Sequence, residues 1–379
     1  MTPGFTALPD LAARDLAAGV VFATDEFFAE RENLIKPGPA VFSAADFGHK
    51  GKTYDGWETR RRREPGADHA IVRLGVPGVV SGVIIDTAWF KGNYPPEASV
   101  EATSAEGYPS PAELRRATWE TLVGRSPIEG DTENAFPVAD PRRFTHVRLT
   151  IYPDGGVARF RVHGEPVPDP RLMDGTVDLA ALESGGDVVD CSDIFYSSPR
   201  NILLPGRSRL MGDGWENARR RDDGNDHVTV ALAGHAHVHR VEIDTSYYLG
   251  NAPGWASLKG MDGDAQADLL PKTRLQPDTR HHFRAAATAP VTHVRLDVYP
   301  DGGIARLRVH GTLTREARAA AAIRFLDLLP EDHATTVLTT SGGLAPGEAR
   351  TLLAARPFGD GGAPPARVLE GLLVAPSAR

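Results

Sequence analysis

The sequence predicts an all-β protein: two tandem antiparallel jelly-roll β-sandwiches produced by internal duplication, followed by a short helical C-terminal extension. Three observations lead to this prediction. A long segment is repeated, apolar residues within each repeat recur with a period of two, and the sequence after residue 311 becomes Ala-rich with helical spacing. A chain of 379 residues also exceeds the usual size of one domain.

The internal repeat is the strongest of these observations. Residues 145–164 recur at 292–311, and all but four of the twenty positions are identical. The motif Asp-Gly-Trp-Glu at 55–58 returns in the same order at 213–216. Because landmark order is kept throughout, we place one domain in each repeat. The predicted divisions are an N-terminal segment 1–18, a first repeat 19–164, a Pro-rich linker 165–185, a second repeat 186–311 and a helical extension 312–379.

Within each repeat the apolar period indicates strands. Val147, Leu149 and Ile151 alternate with polar residues, so they face one side of a strand. The Pro-Asp-Gly-Gly that follows at 153–156 predicts a turn, and residues 157–162 alternate again. Short strands separated by Gly- and Pro-containing turns are typical of antiparallel sandwiches and jelly rolls.

Composition and charge indicate which binding partners and which cell compartment to expect. A formal net charge of −8 argues against nucleic acid, whose binding surfaces carry a basic excess. No apolar run approaches the length of a membrane span, and the N-terminus lacks the pattern of a signal peptide. The single cysteine, Cys191, cannot form an internal disulfide. We therefore expect a cytoplasmic protein that binds neither nucleic acid nor membrane.

The densest polar cluster follows the first Asp-Gly-Trp-Glu. Strand alternation puts Glu58, Arg60 and Arg62 on one face and Arg61 on the other, close to Asp55. Guanidinium groups match the two oxygens of a carboxylate, so the cluster predicts an anion-binding face. A solvated strand edge that discourages aggregation is the alternative. The return of the cluster at Glu216 and Arg219 favours function without excluding a preserved folding motif.

A second cluster follows the strand that ends at Asp86. Lys91 and Asn93 lie in the next loop, and loops on rigid sandwiches often carry binding residues. Asp86 could equally cap backbone donors, while Gly92 and Asn93 form a turn.

Histidines supply the remaining candidates. His69 and His227 follow acids at matched positions, so either could act as a general acid or base, although a surface role is commoner. His235, His237 and His239 share one strand face with metal-binding spacing. The first repeat has no histidine at these positions, and we assign no metal ligand.

At these clusters the sequence resembles that of the allantoicase family. The resemblance rests on residues 55–63, on 85–87 with 90–95, and on the paired Thr-His-Val-Arg-Leu hairpins, and it covers roughly residues 16–311. Individual pieces are also similar to discoidin-type and galactose-binding-like sandwiches, most of which bind ligands without catalysis. The alternative function is therefore a non-catalytic carbohydrate- or ligand-binding protein.

The resemblance implies hydrolysis of allantoate to ureidoglycolate and urea. Such a reaction needs a cationic clamp for the carboxylate, an acid for the departing nitrogen and a base for water. The predicted catalytic residues are Asp55, Glu58, His69 and Asp86. The predicted substrate-binding residues are Arg60, Arg61, Arg62, Lys91, Asn93, Asp213, Glu216, Arg219, His227, Asp244 and Asn251. The implied reaction requires no redox cofactor or nucleotide, although a divalent metal could polarise the ureide. We also expect a homo-oligomer, because ligand sites often form between domains or subunits.

The second repeat departs from the family pattern at four positions. Thr59 and Arg60 become Asn217 and Ala218, and Phe90 and Lys91 become Tyr248 and Leu249. The first repeat is therefore expected to carry the chemistry. The extension faintly resembles the start of the helical ureidoimidazoline decarboxylases but lacks their downstream His-Pro pair, so no activity is assigned to it.

Overall fold

A computed structural model describes residues 3–43, 45–49, 51–358 and 364–373. Parts of the predicted N-terminal segment and extension, residues 1–2, 359–363 and 374–379, lie outside the described residues. The chain divides into two compact units. Unit 1 comprises Met1–Val167 and Phe325–Pro357, and unit 2 comprises Pro168–Arg324 and Phe358–Arg379.

Unit 1 is an antiparallel sandwich built around one long strand. Its strands are β1 (Gly19–Ala23), β2 (Phe47–Gly48), β3 (Gly51–Lys52), β4 (Trp57–Glu58), β5 (Asp68–Asp86), β6 (Glu97–Thr103), β7 (Glu120–Pro127), β8 (Glu133–Pro137), β9 (Arg143–Tyr152), β10 (Gly156–Val157) and β11 (Arg159–Pro166). The main sheet runs β1-β5-β9-β6-β7, and β8 and β11 also pair with β5. The first half of β5 pairs with β1 and β9, while its last residues pair with β8 and β11. β5 therefore contributes to both layers.

Unit 2 repeats this topology. Its strands are β12 (Val177–Asp178), β13 (Asp187–Cys191), β14 (Asp226–Asp244), β15 (Trp255–Asp262), β16 (Ala265–Arg274), β17 (Arg280–Arg284), β18 (Val291–Tyr299) and β19 (Arg306–Leu313). The sheet runs β12-β19-β14-β18-β15-β16, with β13 and β17 also paired to β14. β14 has 19 residues, the same length as β5, and is divided between partners in the same way. The predicted fold class is confirmed.

The repeated tryptophan anchors the segment that precedes the arginines. Trp57 and Trp215 are fully buried. Their indole Nε1–H groups donate to the carbonyls of Asp25 and Asp193 at 2.7 and 2.8 Å. Each ring therefore fills the core while its polar edge is satisfied, which fixes the backbone that continues towards the arginine segment.

An aspartate upstream of each predicted repeat bonds the last long strand of its own unit. Asp10 Oδ1 accepts the N–H of Val162 at 2.9 Å, and Asp178 Oδ1 accepts the N–H of Val309 at 2.9 Å. These bonds tie the N-terminal segment and the end of the linker to the last long strand of their own units.

Helices are short and concentrate after β19. The α-helices are α1 (Pro111–Leu114), α2 (Arg315–Leu328), α3 (Glu331–Thr340), α4 (Pro346–Leu353) and α5 (Ala366–Leu373). The 3₁₀ helices are Gly4–Ala7, Arg14–Leu16, Arg31–Ile35, Pro170–Leu172, Leu182–Ser184, Pro199–Leu203 and Met211–Asp213. In α3, buried His333 bonds Ser104 through Nδ1 at 2.7 Å and Glu106 through Nε2 at 2.8 Å. Within the described ranges, no helix combines the length and apolarity that a membrane crossing would require.

Candidate active site

Unit 1 contains a pocket of about 550 Å³ beside β4. Its walls come from β4 and the arginine segment after it, from the loop after β5, and from the hairpin turn after β9. The lining residues are Phe28, Glu58, Thr59, Arg61, Arg62, Arg63, Gly92, Asn93, Tyr94, Pro96, Pro153, Asp154 and Gly155. The structure thus brings together four of the predicted site residues of the first repeat: Glu58, Arg61, Arg62 and Asn93.

The backbone of Glu58 is held from both sides. Glu58 pairs with Gly156 of β10, and its carbonyl accepts the N–H groups of Phe28 and Ala29 at 3.1 and 3.2 Å. Because strand side chains alternate, burial of Trp57 in the core directs Glu58 to the opposite side. That side is the pocket.

The side chain of Glu58 is half-buried and has one amide partner. Asn93 Nδ2 donates to Glu58 Oε1 at 2.8 Å, and the carbonyl of Asn93 accepts the N–H of Gly156 at 2.8 Å. Burial raises the pKa of Glu58 above its usual value, while the bond from Asn93 opposes that shift. A carboxyl group with a raised pKa can donate a proton and later accept one, as a general acid–base requires.

The arginine segment combines one anchored guanidinium with two that face solvent. Arg62 donates its N–H to Asp154 Oδ2 and its Nη1 to buried Asp68 Oδ1, both at 2.8 Å. Arg61 and Arg63 line the pocket and are exposed. Neither has an ion pair or hydrogen bond to any residue that the structure describes, which leaves both guanidinium groups available to an anion.

The hairpin turn closes against the same segment. Thr59 Oγ1 accepts the N–H of Gly155 at 3.1 Å. Gly155 has φ +143°, and a Cβ there would lie 2.7 Å from the nitrogen of Pro95. Glycine is therefore required where the turn meets the loop that carries Asn93.

Three predicted catalytic residues of unit 1 are not among the pocket-lining residues. Asp55 accepts from Arg159 Nη2 at 2.6 Å and from Lys36 Nζ at 3.1 Å. Burial alone would raise the pKa of Asp55, but these bonds hold it below its usual value. Asp86 accepts the N–H of Ala88 at 2.8 Å, and burial raises its pKa. His69 lies 5.4 Å from the ring of Phe22, and its pKa is lowered by burial and by Arg148.

Two predicted substrate-binding residues also pair elsewhere. Arg60 Nε donates to Asp25 Oδ2 at 2.6 Å, and Lys91 Nζ lies 3.5 Å from Asp131 Oδ2. Neither lines the pocket of unit 1.

Unit 2 reproduces the hydrogen bonds that Glu58, Thr59 and Arg62 make in unit 1, and we call this set of bonds the framework. Asn251 Nδ2 donates to Glu216 Oε1 at 2.6 Å, and Asn217 Oδ1 accepts the N–H of Gly302 at 2.7 Å. Arg220 donates its N–H to Asp301 and its Nη1 to buried Asp226, at 2.8 and 2.7 Å. Arg219 is exposed, like its counterpart Arg61.

The other predicted residues of unit 2 bond to neighbours. Asp213 accepts from Arg209 Nε at 2.9 Å, and Asp244 accepts the N–H of Ser246 at 2.8 Å. His227 Nε2 lies 2.9 Å from Asp190 Oδ2. The contacts of Asp213 and Asp244 match the pairing of Asp55 with a cation and the capping of a backbone N–H by Asp86.

Sequence reasoning missed several pocket-lining residues. The sequence predicts Asp154 and Gly155 only as part of a turn and Tyr94 only as part of a motif, and Phe28 belongs to no motif named above. One signal was available: the Tyr-Pro-Asp-Gly-Gly at 152–156 recurs unchanged at 299–303.

Within the described ranges, no group of three or more His, Cys, Asp or Glu side chains is arranged to hold a metal ion. His235 Nε2 lies 3.6 Å from Asp262 Oδ2, and His239 Nε2 bonds Thr312 Oγ1 at 3.0 Å.

Topology and framework together define a duplicated jelly-roll protein with one matched polar site per repeat. The family model described as allantoicase repeat matches residues 9–167 and 177–314. A probable allantoicase from Nocardia farcinica is 58% identical over 315 residues, covering 82% of this chain and 96% of the relative. A probable allantoicase from Streptomyces coelicolor is 51% identical over 340 residues, covering 86% and 90%.

A solved structure agrees with these matches. The crystal structure of allantoicase from Saccharomyces cerevisiae superposes with a TM-score of 0.70 at 34% identity, covering 80% of this chain and 93% of that one. The chain belongs to the allantoicase family. The predicted enzyme class, a hydrolase that converts allantoate to ureidoglycolate and urea, is confirmed.

Proposed function

We propose that the pocket of unit 1 is the site at which this chain hydrolyses allantoate, with Glu58 as the general acid–base. The observation that carries the proposal is the half-buried Glu58, with a raised pKa, in a pocket shared with three arginines. Pocket, perturbed carboxyl group and convergent cations are the features expected of an active site.

Arg61 and Arg63 bind the substrate carboxylate in this proposal. Both are exposed guanidinium groups at the pocket wall, and charge-assisted bonds to a carboxylate are among the strongest polar contacts. Arg62 is committed to Asp68 and Asp154, so it shapes the segment that carries the other two.

Glu58 serves both proton transfers. Protonated Glu58 donates to the ureido nitrogen as the bond from that nitrogen to the central carbon breaks and urea leaves. The resulting carboxylate then takes a proton from the water whose oxygen bonds the same carbon. The substrate loses urea and gains a hydroxyl, and Glu58 returns to its protonated form. Asn93 holds the carboxyl group in place, while Asp55, His69 and Asp86 take no part in the chemistry.

A matched pair of variants tests this assignment. Glu58→Gln keeps the size and shape of the side chain but removes the carboxyl group that donates and accepts the proton, so turnover should fall about 100-fold or more. Glu216→Gln changes the counterpart in unit 2 and should cost far less. Urea release measured with coupled urease gives the rates, and circular dichroism verifies folding. A larger loss from Glu216→Gln would reassign the chemistry to unit 2, and equal losses would assign essential roles to both.

The same assay separates catalysis from ligand binding. A non-catalytic sandwich would bind a carbohydrate or other ligand but release urea only at the background rate. Repeating the assay with a chelator tests whether a divalent metal contributes.

We also propose a cytoplasmic homo-oligomer. A single, half-buried cysteine suits a reducing compartment, and ligand sites of small domains often form where surfaces meet. Light scattering that gives a monomer mass at full activity would contradict the assembly, and fractionation of cells would test the compartment.

A further inference from the structure

We propose that Tyr94 is a specificity-determining wall of the unit 1 pocket, whose ring packs against a planar ureido group of bound allantoate. This inference rests on the proposed location of catalysis in unit 1. Tyr94 lines the pocket, is half-buried and also packs against the small core cluster of Ala40, Phe90 and Ala158.

The ring of Tyr94 lies on a surface that only glycine allows. A Cβ on Gly130 would lie 2.3 Å from Cδ1 and 2.5 Å from Cε1 of Tyr94. Buried Pro95 follows Tyr94 directly and restricts the backbone. The ring is therefore fixed before substrate arrives, so little conformational entropy is lost on binding.

Unit 2 differs at both positions together. The loops correspond because Thr87 Oγ1 donates to the carbonyl of Glu129 at 2.6 Å and Thr245 Oγ1 donates to that of Gln276 at 2.7 Å. In this alignment Ala252 replaces Tyr94, and Pro277 replaces Gly130. In unit 1 the large ring of Tyr94 occurs together with Gly130, which leaves room for it. In unit 2 the small Ala252 occurs together with the bulkier Pro277.

The chemistry of the substrate suits such a wall. Allantoate carries a carboxylate, which the arginines can bind, and two flat ureido groups with polar edges and weakly polar faces. A flat aromatic ring covers a planar face while leaving its edges free for hydrogen bonds. The wall should therefore contribute to binding more than to the chemical step.

Kinetics of three variants test the wall. Tyr94→Ala should raise KM about tenfold with kcat changed less than threefold, whereas Tyr94→Phe, which keeps the ring, should stay close to the parent. Tyr108→Ala removes an exposed tyrosine of the same unit and serves as control. An unchanged KM for Tyr94→Ala, or an equal loss from Tyr94→Phe, would overturn the ring contact. If Tyr94→Ala does not fold, Tyr94→Leu provides the same comparison.

A double-mutant cycle tests the support beneath the ring. Gly130→Ala should raise KM in the parent, but clearly less in a chain that already carries Tyr94→Ala, because only the clash of the new Cβ with the carbonyl oxygen of Phe90, at 2.7 Å, then remains. Equal effects in both backgrounds would contradict the support.

Calorimetric titration of allantoate into Glu58→Gln, with and without Tyr94→Ala, separates the two proposals. Weaker binding on loss of the ring supports the wall, and unchanged binding overturns it. Retained turnover in Glu58→Gln would overturn the assigned acid–base while leaving the wall to be judged by binding.

Discussion

The two units have the same framework but different walls around it. Each has a glutamate bonded to an asparagine, and each has an arginine bonded to a buried aspartate. Thr59 and Asn217 differ in type, yet both accept the N–H of the turn glycine. Duplicated sites can therefore keep a contact while changing the residue that makes it. A difference in residue type alone does not show where function was lost.

The surroundings of the frameworks differ in polarity and size. Leu249, 71% exposed, stands where unit 1 has Lys91, and Ala252 stands where unit 1 has Tyr94. Ala218 replaces Arg60. Arg219 and Arg221 remain where unit 1 has Arg61 and Arg63, so the cations that face solvent are preserved in both units.

The largest effect should come from these preserved cations. Combining Arg61→Ala with Arg63→Ala removes the two proposed charge-assisted contacts to the substrate carboxylate, and KM for allantoate should rise about 100-fold. The matched change, Arg219→Ala with Arg221→Ala, should raise KM less than fivefold if unit 1 carries catalysis. Urea-release kinetics measure both, and thermal unfolding verifies that stability is kept. Equal losses would show that the two sites contribute alike.

The fold could be predicted from the sequence because its signals are local. The alternation of Val147, Leu149 and Ile151 and the turn that follows describe β9 and its hairpin without long-range information. The repeat strengthens this prediction, since the same strand and turn pattern occurs at both 145–164 and 292–311. The contact of Asp10 with Val162 is not predictable in this way, because it joins residues far apart in the chain.

The site was harder to predict because its pairings are long-range. Asp55 and Arg159 are 104 residues apart, and Thr59 and Gly155 are 96 apart. From the sequence alone, every acid near the arginines is an equal candidate for the catalytic carboxyl group, whereas in the structure Asp55 bonds Arg159. Glu58 differs because the chain supplies it with an amide and no cation partner among the described residues. Only the folded arrangement separates the two carboxylates.

A somewhat smaller effect should follow from the Thr59 contact. Thr59→Val keeps the shape but leaves the N–H of Gly155 without its side-chain acceptor, so stability should fall by about 1–2 kcal/mol. Thr59→Asn introduces the residue of unit 2, which makes the same bond there, and should cost less. Urea denaturation of both variants gives the comparison. Asparagine proving as harmful as valine would show that the two frameworks are not interchangeable.

Removal of Asn93 should shift the pH dependence. Its bond favours the ionised form of Glu58, so Asn93→Ala should raise the pKa of Glu58 further. The pH limb of kcat/KM that reports Glu58 should therefore move to higher pH, while Asn251→Ala should leave it in place. A limb that moves to lower pH, or does not move, would contradict this role for Asn93.

The same raised pKa has a consequence for stability. Native Glu58 holds its proton more tightly than the unfolded chain does, so its contribution to stability falls as pH rises from the unfolded pKa to the folded one. Above that window the penalty persists, and Glu58→Gln should unfold at a higher temperature than the parent at pH 7. The difference should vanish below the unfolded pKa. Thermal unfolding at both pH values decides this.

The smallest effect should be that of Arg60→Ala, although the sequence favoured Arg60 as a substrate ligand. Its side chain is 65% exposed and pairs with Asp25, and its backbone N–H donates to the same carboxylate at 2.8 Å. Ala218 makes the corresponding backbone bond to Asp193 without any side-chain cation. The anchor should therefore survive the substitution, and stability should fall by about 0.2–1 kcal/mol with KM within twofold of the parent. Asp25→Ala, which removes both bonds, should destabilise the protein more. A large rise in KM for Arg60→Ala, with stability kept, would instead make Arg60 a direct contact of the substrate and turn its replacement by Ala218 into a functional difference between the units.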